Sequence, residues 1–353
     1  MTRLLRVFFA VTAGSLLLYL AGCTSGAGPD AHMPNPGKCG SASTDTSSRY
    51  VDLGGHLQTA WSRGCISAEH NRGSIALVAS GYTVVLLGYV DNQPSIRVAG
   101  YSAETGEYMW GGFQSASVLD SYEGAVYIGT RLGQLQKLNP SSGRVEWSKF
   151  LFPLRIVTSI NAGDEGVIVV GGGDSSLMIG LDGGERLDIP DLARTTPVLN
   201  IDHSSVYIDS MKSLSAVDGR VEWSVSLSEG VREAPVFLPQ SILVRTGERS
   251  GHIYSVDRNT GTLRWKSDRD AVSNISVSGG WAYFLEEGGY LIRLDADSGE
   301  EEILGRLEGA PFVLPSSSGM PAGGYYVSAA DDLDMIFLLL GDSAELVALA
   351  RSG

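Results

Sequence analysis

Cysteine is scarce in this chain, with three residues, Cys23, Cys39 and Cys65, in 353. A zinc or iron–sulfur centre built on clustered thiolates therefore has no material to work with. Histidine is scarce as well. His32, His56, His70, His203 and His252 show no H-E-x-x-H or other metal-ligand spacing. Also missing are G-x-S-x-G, S-x-x-K, a P-loop and G-x-G-x-x-G, so no nucleophile elbow or phosphate cradle is written in the chain. Positive charge is in short supply too. Lys and Arg number 26 against 40 Asp and Glu, a formal net charge of −14. General adhesion to nucleic acid or anionic lipid needs clustered cations on the outer surface and is excluded on that balance.

What is present begins at the N-terminus. Arg3 and Arg6 give a basic start, Val7 to Leu20 an apolar core, and Leu20-Ala21-Gly22-Cys23 follows. Such a run is short against the roughly 20 residues that span a bilayer, which disfavours an uncleaved anchor. Leu-Ala-Gly-Cys resembles the lipobox of bacterial lipoproteins, which implies a signal peptide over 1–22 and a mature chain starting at an acylated Cys23. Thr24 is not the Asp that often retains lipoproteins at the inner membrane. Loss of Arg3 and Arg6 takes the charge from −14 to −16. Residues 23–49, rich in Gly, Pro and Ser, are expected to form a flexible tether, and 50–353 the folded body. In an oxidising, extracytoplasmic compartment Cys39 and Cys65 are expected to pair. Two isolated thiols make a poor metal site.

The body repeats. TGEYMW (Thr105 to Trp110), SGRVEW (Ser142 to Trp147), DGRVEW (Asp218 to Trp223) and TGTLRW (Thr260 to Trp265) each carry glycine four residues before tryptophan. Weaker copies fall at Leu181 to Leu187 and Asp297 to Ile303. With Gly106, Gly143, Gly184, Gly219, Gly261 and Gly299 taken as equivalent, the intervals are 37, 41, 35, 42 and 38 residues. Periods near 40 mean propellers or helical arrays. The segments between the turns decide for strands. AVYIGT (Ala125 to Thr130), GVIVVG (Gly166 to Gly171), SVYIDS (Ser205 to Ser210) and SILVRT (Ser241 to Thr246) are short, β-branched and apolar. No amphipathic helix follows the signal. The expectation is an all-β propeller of four-stranded blades.

Closure is also legible. Glu345 to Gly353 reads as a third strand with no fourth, and His56 to Gly64, HLQTAWSRG, reads as a fourth, tryptophan-bearing strand with no predecessors. Pairing the two closes the ring and removes exposed sheet edges. Counting that composite blade gives seven, with room for an eighth between Pro311 and Tyr325.

This unit resembles the PQQ-type propeller repeat, and the layout with lipobox, Thr59-Ala60-Trp61-Ser62 and a chain ending after a third strand resembles the BamB-type outer-membrane lipoproteins. That resemblance covers about residues 50 to 353. It implies a non-catalytic scaffold with no cofactor, a monomeric propeller bound to the membrane by its lipid and serving envelope protein partners. Seven blades, where that family has eight, and the Cys39/Cys65 pair depart from its pattern.

The repeat tryptophans are expected to pack blade against blade, and the glycines to supply positive φ at hairpin turns. A PQQ-dependent dehydrogenase is disfavoured, since no adjacent cysteine pair exists and seven blades leave little room for inserted loops. Asp295-Ala-Asp297-Ser-Gly299 has the look of a calcium loop, but the matching turns Asp257 to Gly261 and Asn139 to Gly143 mark it as one more repeat hairpin. Asp331, Asp332 and Asp334 read as a solvated loop.

One alignment stands out. Arg155, Arg194 and Arg232 fall at one position before the innermost strand of three successive blades. That places three guanidiniums at one channel mouth, suited to a carboxylate, a phosphate or an acidic loop of a partner. The leading functional expectation is an envelope scaffold docking protein partners. The alternative is an extracytoplasmic solute or glycan receptor using the channel, for which Tyr101, Tyr108, Tyr122 and Tyr290 are available.

Overall fold

The computed structural model describes residues 50–51, 57–64, 76–88, 98–113, 115–153, 155–163, 166–171, 175–184, 186–188, 198–201, 205–208, 212–215, 220–227, 231, 235–247, 251–307, 325–330, 333–340 and 345–351. Cys23, Cys39, Cys65, Arg194 and Arg232 lie outside them, as do Gly219 and residues 308–324, where an eighth blade was allowed for.

Among the described residues the strands form seven antiparallel sheets. The first blade is β3 (Ala76–Ser80), β4 (Thr83–Leu87), β5 (Val98–Ser102) and β6 (Tyr108–Gly112). The second is β7 (Ala116–Tyr122), β8 (Ala125–Thr130), β9 (Gln134–Leu138) and β10 (Val145–Phe150). The third runs β11 (Val157–Gly163), β12 (Gly166–Gly171), β13 (Ser175–Ile179) and β14 (Arg186–Asp188). The fourth runs β15 (Val198–Ile201), β16 (Ser205–Ile208), β17 (Lys212–Ser215) and β18 (Val221–Ser224). The fifth is β19 (Val236–Phe237), β20 (Ser241–Arg245), β21 (Ile253–Asp257) and β22 (Leu263–Lys266). The sixth is β23 (Ser276–Ser278), β24 (Trp281–Leu285), β25 (Tyr290–Asp295) and β26 (Glu301–Leu307), and it gains a fifth strand, β1 (Tyr50–Val51), on β26. The seventh is the composite blade, in which β27 (Tyr325–Ala330), β28 (Met335–Leu340) and β29 (Glu345–Arg351) are completed by β2 (Leu57–Gly64).

Closure is thus as expected. β2 lies antiparallel to β29 with Leu57 opposite Arg351 and Gly64 opposite Glu345. The β1 strand was not foreseen, because two residues carry no periodicity.

Burial falls off along each blade in the way composition demands. The second strands TVVLL, SILVR, MIFLLL and AVYIGT are buried throughout, because both their faces lie between neighbouring blades. A continuous apolar run is what such a position selects. The outermost strands are mostly half-exposed or exposed, as in β6 and β10, and carry polar residues accordingly.

The tryptophans lock blade to blade. Register shifts fall immediately before each one, leaving Ala60, Met109, Glu146, Glu222 and Arg264 bulged. A bulge re-aims the side chain that follows it. Trp61, Trp110, Trp147, Trp223 and Trp265 accordingly lie over the turn glycine of the next blade, namely Gly106, Gly143, Gly183, Gly261 and Gly299. Each indole N–H donates to a carbonyl in that turn, at Ala103, Pro140, Leu181, Arg258 and Ala296 over 2.6–3.3 Å. The third copy corrects the alignment: Gly183, with φ +77, takes the position assigned to Gly184. Asp182 Oδ1 instead accepts the Gly184 N–H at 2.7 Å.

Candidate docking surface

Antiparallel order gives the ring two faces. Turns from innermost to second strand, and the Gly-Trp hairpins, lie on one; second-to-third turns and the connections between blades lie on the other. Arg155 is on the connection face, exposed, two residues before β11. Of the three aligned arginines it is the one within the described residues, so convergence of the three at the mouth stays a proposal.

The structure gathers something else around it. Between β8 and β9, Thr130 Oγ1 accepts the N–H groups of Leu132 and Gln134 at 3.3 and 3.0 Å, shaping a tight turn. Gly133 in that turn has φ +81, and a Cβ there would lie 1.8 Å from the Phe152 carbonyl oxygen. Its carbonyl accepts from Leu151 N and Phe152 N at 2.8 and 3.0 Å, so the connection leaving β10 is bound to the turn. Leu151 and Phe152 are buried in the core between the second and third blades. With those two side chains inward, their neighbours are turned outward. Leu132, Phe150 and Ile156 are 54%, 55% and 48% exposed. Arg131, Lys149 and Arg155 stand exposed among them. Neither Arg131 nor Lys149 has an acidic partner among the described residues.

Three exposed apolar side chains beside three cations on a chain of net charge −14 make a local exception in both hydropathy and sign. The signal was in the sequence. After its tryptophan the second blade continues Ser-Lys-Phe-Leu-Phe-Pro-Leu-Arg-Ile, where the fifth continues Lys-Ser-Asp-Arg-Asp.

The channel wall is held by a recurring side-chain bond. Ser276 Oγ on β23 accepts Ala329 N on β27 at 2.9 Å, and Ser328 Oγ on β27 accepts Ala79 N on β3 at 2.8 Å. The same position on β3 is Val78, which cannot accept. On β7 it is Asp120, whose carboxylate takes Ala162 N of β11 at 2.8 Å and, with its other oxygen, Ser121 N at 2.8 Å. Burial pushes the Asp120 carboxyl up to about 6 against the opposing pull of those two N–H groups.

Among the other expected sites, Asp257 and Asp295 accept N–H groups of their own turns. Among the described residues no three His, Cys, Asp or Glu side chains are gathered to hold a metal ion. Tyr101 is buried and packs edge-on against Tyr108, and Tyr290 lies beneath Arg306.

Comparison with known proteins adds a partial sequence similarity and a shared fold. Residues 200–312 match the family described as outer membrane protein assembly factor BamB. Over those residues the chain is similar to that family, and its fold is a β-propeller. The match spans β15 to just past β26 of that propeller. No curated protein sequence matches the chain. Among solved structures, BamB from Moraxella catarrhalis is 13% identical, with 83% of this chain and 99% of that one covered, at a TM-score of 0.49. The Cps50 (Swd1) propeller domain of Myceliophteria thermophila is 9% identical over 81% of this chain and 99% of its own, TM-score 0.55. The WD40 propeller domain of Doa1 is 12% identical over 84% and 97%, TM-score 0.55. At these identities the latter two share the propeller fold and nothing narrower is drawn from them.

Proposed function

We propose that this propeller is a non-catalytic scaffold of the bacterial envelope, acylated at Cys23 and tethered to the membrane, that docks a partner protein of outer-membrane assembly. The observation that carries the reading is the apolar and basic surface of Leu132, Phe150, Ile156, Arg131, Lys149 and Arg155. Its charge complements an acidic segment bearing apolar side chains, and an otherwise acidic propeller disfavours anionic lipid as the occupant. The family description of residues 200–312 supports the setting.

The test is crosslinking pull-down of the lipidated protein from its native membrane, beside a Leu132→Ser/Phe150→Ser/Ile156→Ser variant and an Arg131→Glu/Lys149→Glu variant. Envelope assembly proteins should be recovered with the native chain, and each variant should lose at least about tenfold of that recovery, as truncation of central interface residues does. Equal recovery with both variants overturns the docking surface. Binding of both native and variant chains to anionic vesicles in place of any protein overturns the scaffold reading.

A further inference from the structure

The outermost strand of a blade presents a row of backbone N–H and C=O groups with no strand beyond it. In the sixth blade that row is not left bare. β1 lies antiparallel along β26, with Tyr50 opposite Leu307 and Val51 opposite Arg306, so an outer edge of this ring accepts an added strand. In the second blade β10 ends the sheet among the described residues, and its last residue, Phe150, belongs to the docking surface. We propose that the partner docks by adding an extended strand, in which apolar and acidic residues alternate, to the outer edge of β10. Such docking presupposes the surface described above and names how its partner is held.

β10 is the outer edge best suited to this. Val145, Glu146, Ser148, Lys149 and Phe150 are exposed, with Trp147 half-buried among them. β2 is longer, but of its eight residues only Gln58 and Gly64 are exposed. Three of the five residues of β6 are half-buried, and β14, β18 and β22 have three, four and four residues.

Register sorts the side chains of β10 into two rows. Val145, Ser148 and Phe150 lie opposite Leu138, Gln136 and Gln134, on the side where Leu138 joins the core shared with the first blade. Trp147 and Lys149 lie opposite Lys137 and Leu135, on the side where Leu135 joins the core shared with the third. An added strand continues both rows, because its successive residues point to opposite faces. Beside Val145 and Phe150, 43% and 55% exposed, it needs apolar residues. Beside Lys149 it needs acidic ones, since unlike charges opposed across a strand pair stabilise it and like charges do the reverse. Lys149 has no acidic partner among the described residues, whereas Lys137 holds Glu146 at 3.4 Å. Main-chain bonds supply affinity in this mode of recognition, and the alternate side chains supply specificity.

Fluorescence polarisation of labelled peptides on the purified full-length protein tests the edge. The probe is a capped octapeptide of alternating valine and glutamate, and its counterpart carries lysine in place of glutamate. The glutamate peptide should bind, the lysine peptide at least about tenfold more weakly, and Lys149→Glu should narrow that gap. Two N-methylated forms of the glutamate peptide separate strand addition from contact through side chains alone. Methylating every valine amide removes the N–H donors along one edge of an extended chain, and methylating every glutamate amide removes those along the other. One form should keep the affinity of the parent peptide and the other should lose at least about tenfold. Equal affinity of the two methylated forms, no binding of the glutamate peptide, equal binding of both charge types, or an unchanged gap in Lys149→Glu overturns strand addition. If the pull-down nevertheless depends on Leu132, Phe150 and Ile156, the docking surface stands and side chains alone hold its partner; if it does not, both readings fall.

Discussion

The indole of Trp61 lies on Gly106, and a Cβ at that glycine would sit 2.5 Å from its ring. Trp61 belongs to the strand that closes the ring and Gly106 to the turn of the first complete blade, so this contact seals the seam where the two ends of the chain meet. Trp61 Nε1 donates to Ala103 O at 2.8 Å and Arg63 Nη1 to Gly106 O at 3.2 Å. Trp61 is 1% exposed. Trp61→Ala should therefore cost about 3–5 kcal/mol, measured by urea unfolding. Gly106→Ala should destabilise too, since φ +68 and the ring both oppose a methyl group.

Deleting the closing strand is a separate test of the same seam. Removal of residues 1–64 would strip β2 from β29 and leave a buried, apolar strand, Glu345–Arg351, as a sheet edge. Open apolar edges pair with other chains. Size-exclusion chromatography should show a shift to oligomers or aggregates relative to the full chain, which is expected to run as a monomer.

The docking surface depends on Gly133. Gly133→Ala places a methyl group on the Phe152 carbonyl and should break the two N–H bonds that hold the connection. Partner recovery should fall as far as in the Phe150 variant although no outward side chain has changed. Hydrogen exchange at Leu151 and Phe152 should quicken in the same variant.

Asp120 makes stability pH-dependent in a known direction. Its folded value of about 6 stands above the ordinary 3.8, so its contribution is fully present below pH 3.8 and is lost as pH rises through 6. Across that window the native chain should lose roughly 1–3 kcal/mol relative to Asp120→Asn, which carries no titrating group. Urea midpoints at pH 4.5, 5.5 and 7 give the comparison, and parallel slopes for the two proteins would contradict it.

The repeat tryptophans, the strand periodicity and the closing strand were all legible because each is a local pattern copied around a ring. The one misplaced repeat glycine shows the limit. Gly183 and Gly184 are adjacent, and only the position of Trp147 over the first decides which is the turn glycine. Arg155 was found by alignment, but its apolar neighbours were not, because Leu132 is far from Phe150 and Ile156 in the chain and meets them through the Gly133 carbonyl.

The sequence alone determined the class of fold, the interval between blades and the way the ring closes, since burial on both faces and a recurring spacing between turns leave their mark on every copy. Tertiary structure decided what is distinctive: which outward side chains share a surface, why Asp120 must serve two N–H groups where Val78 can serve none, and which outer strand adjoins that surface. Those depend on residues brought together from different blades, and no periodic signal records that proximity.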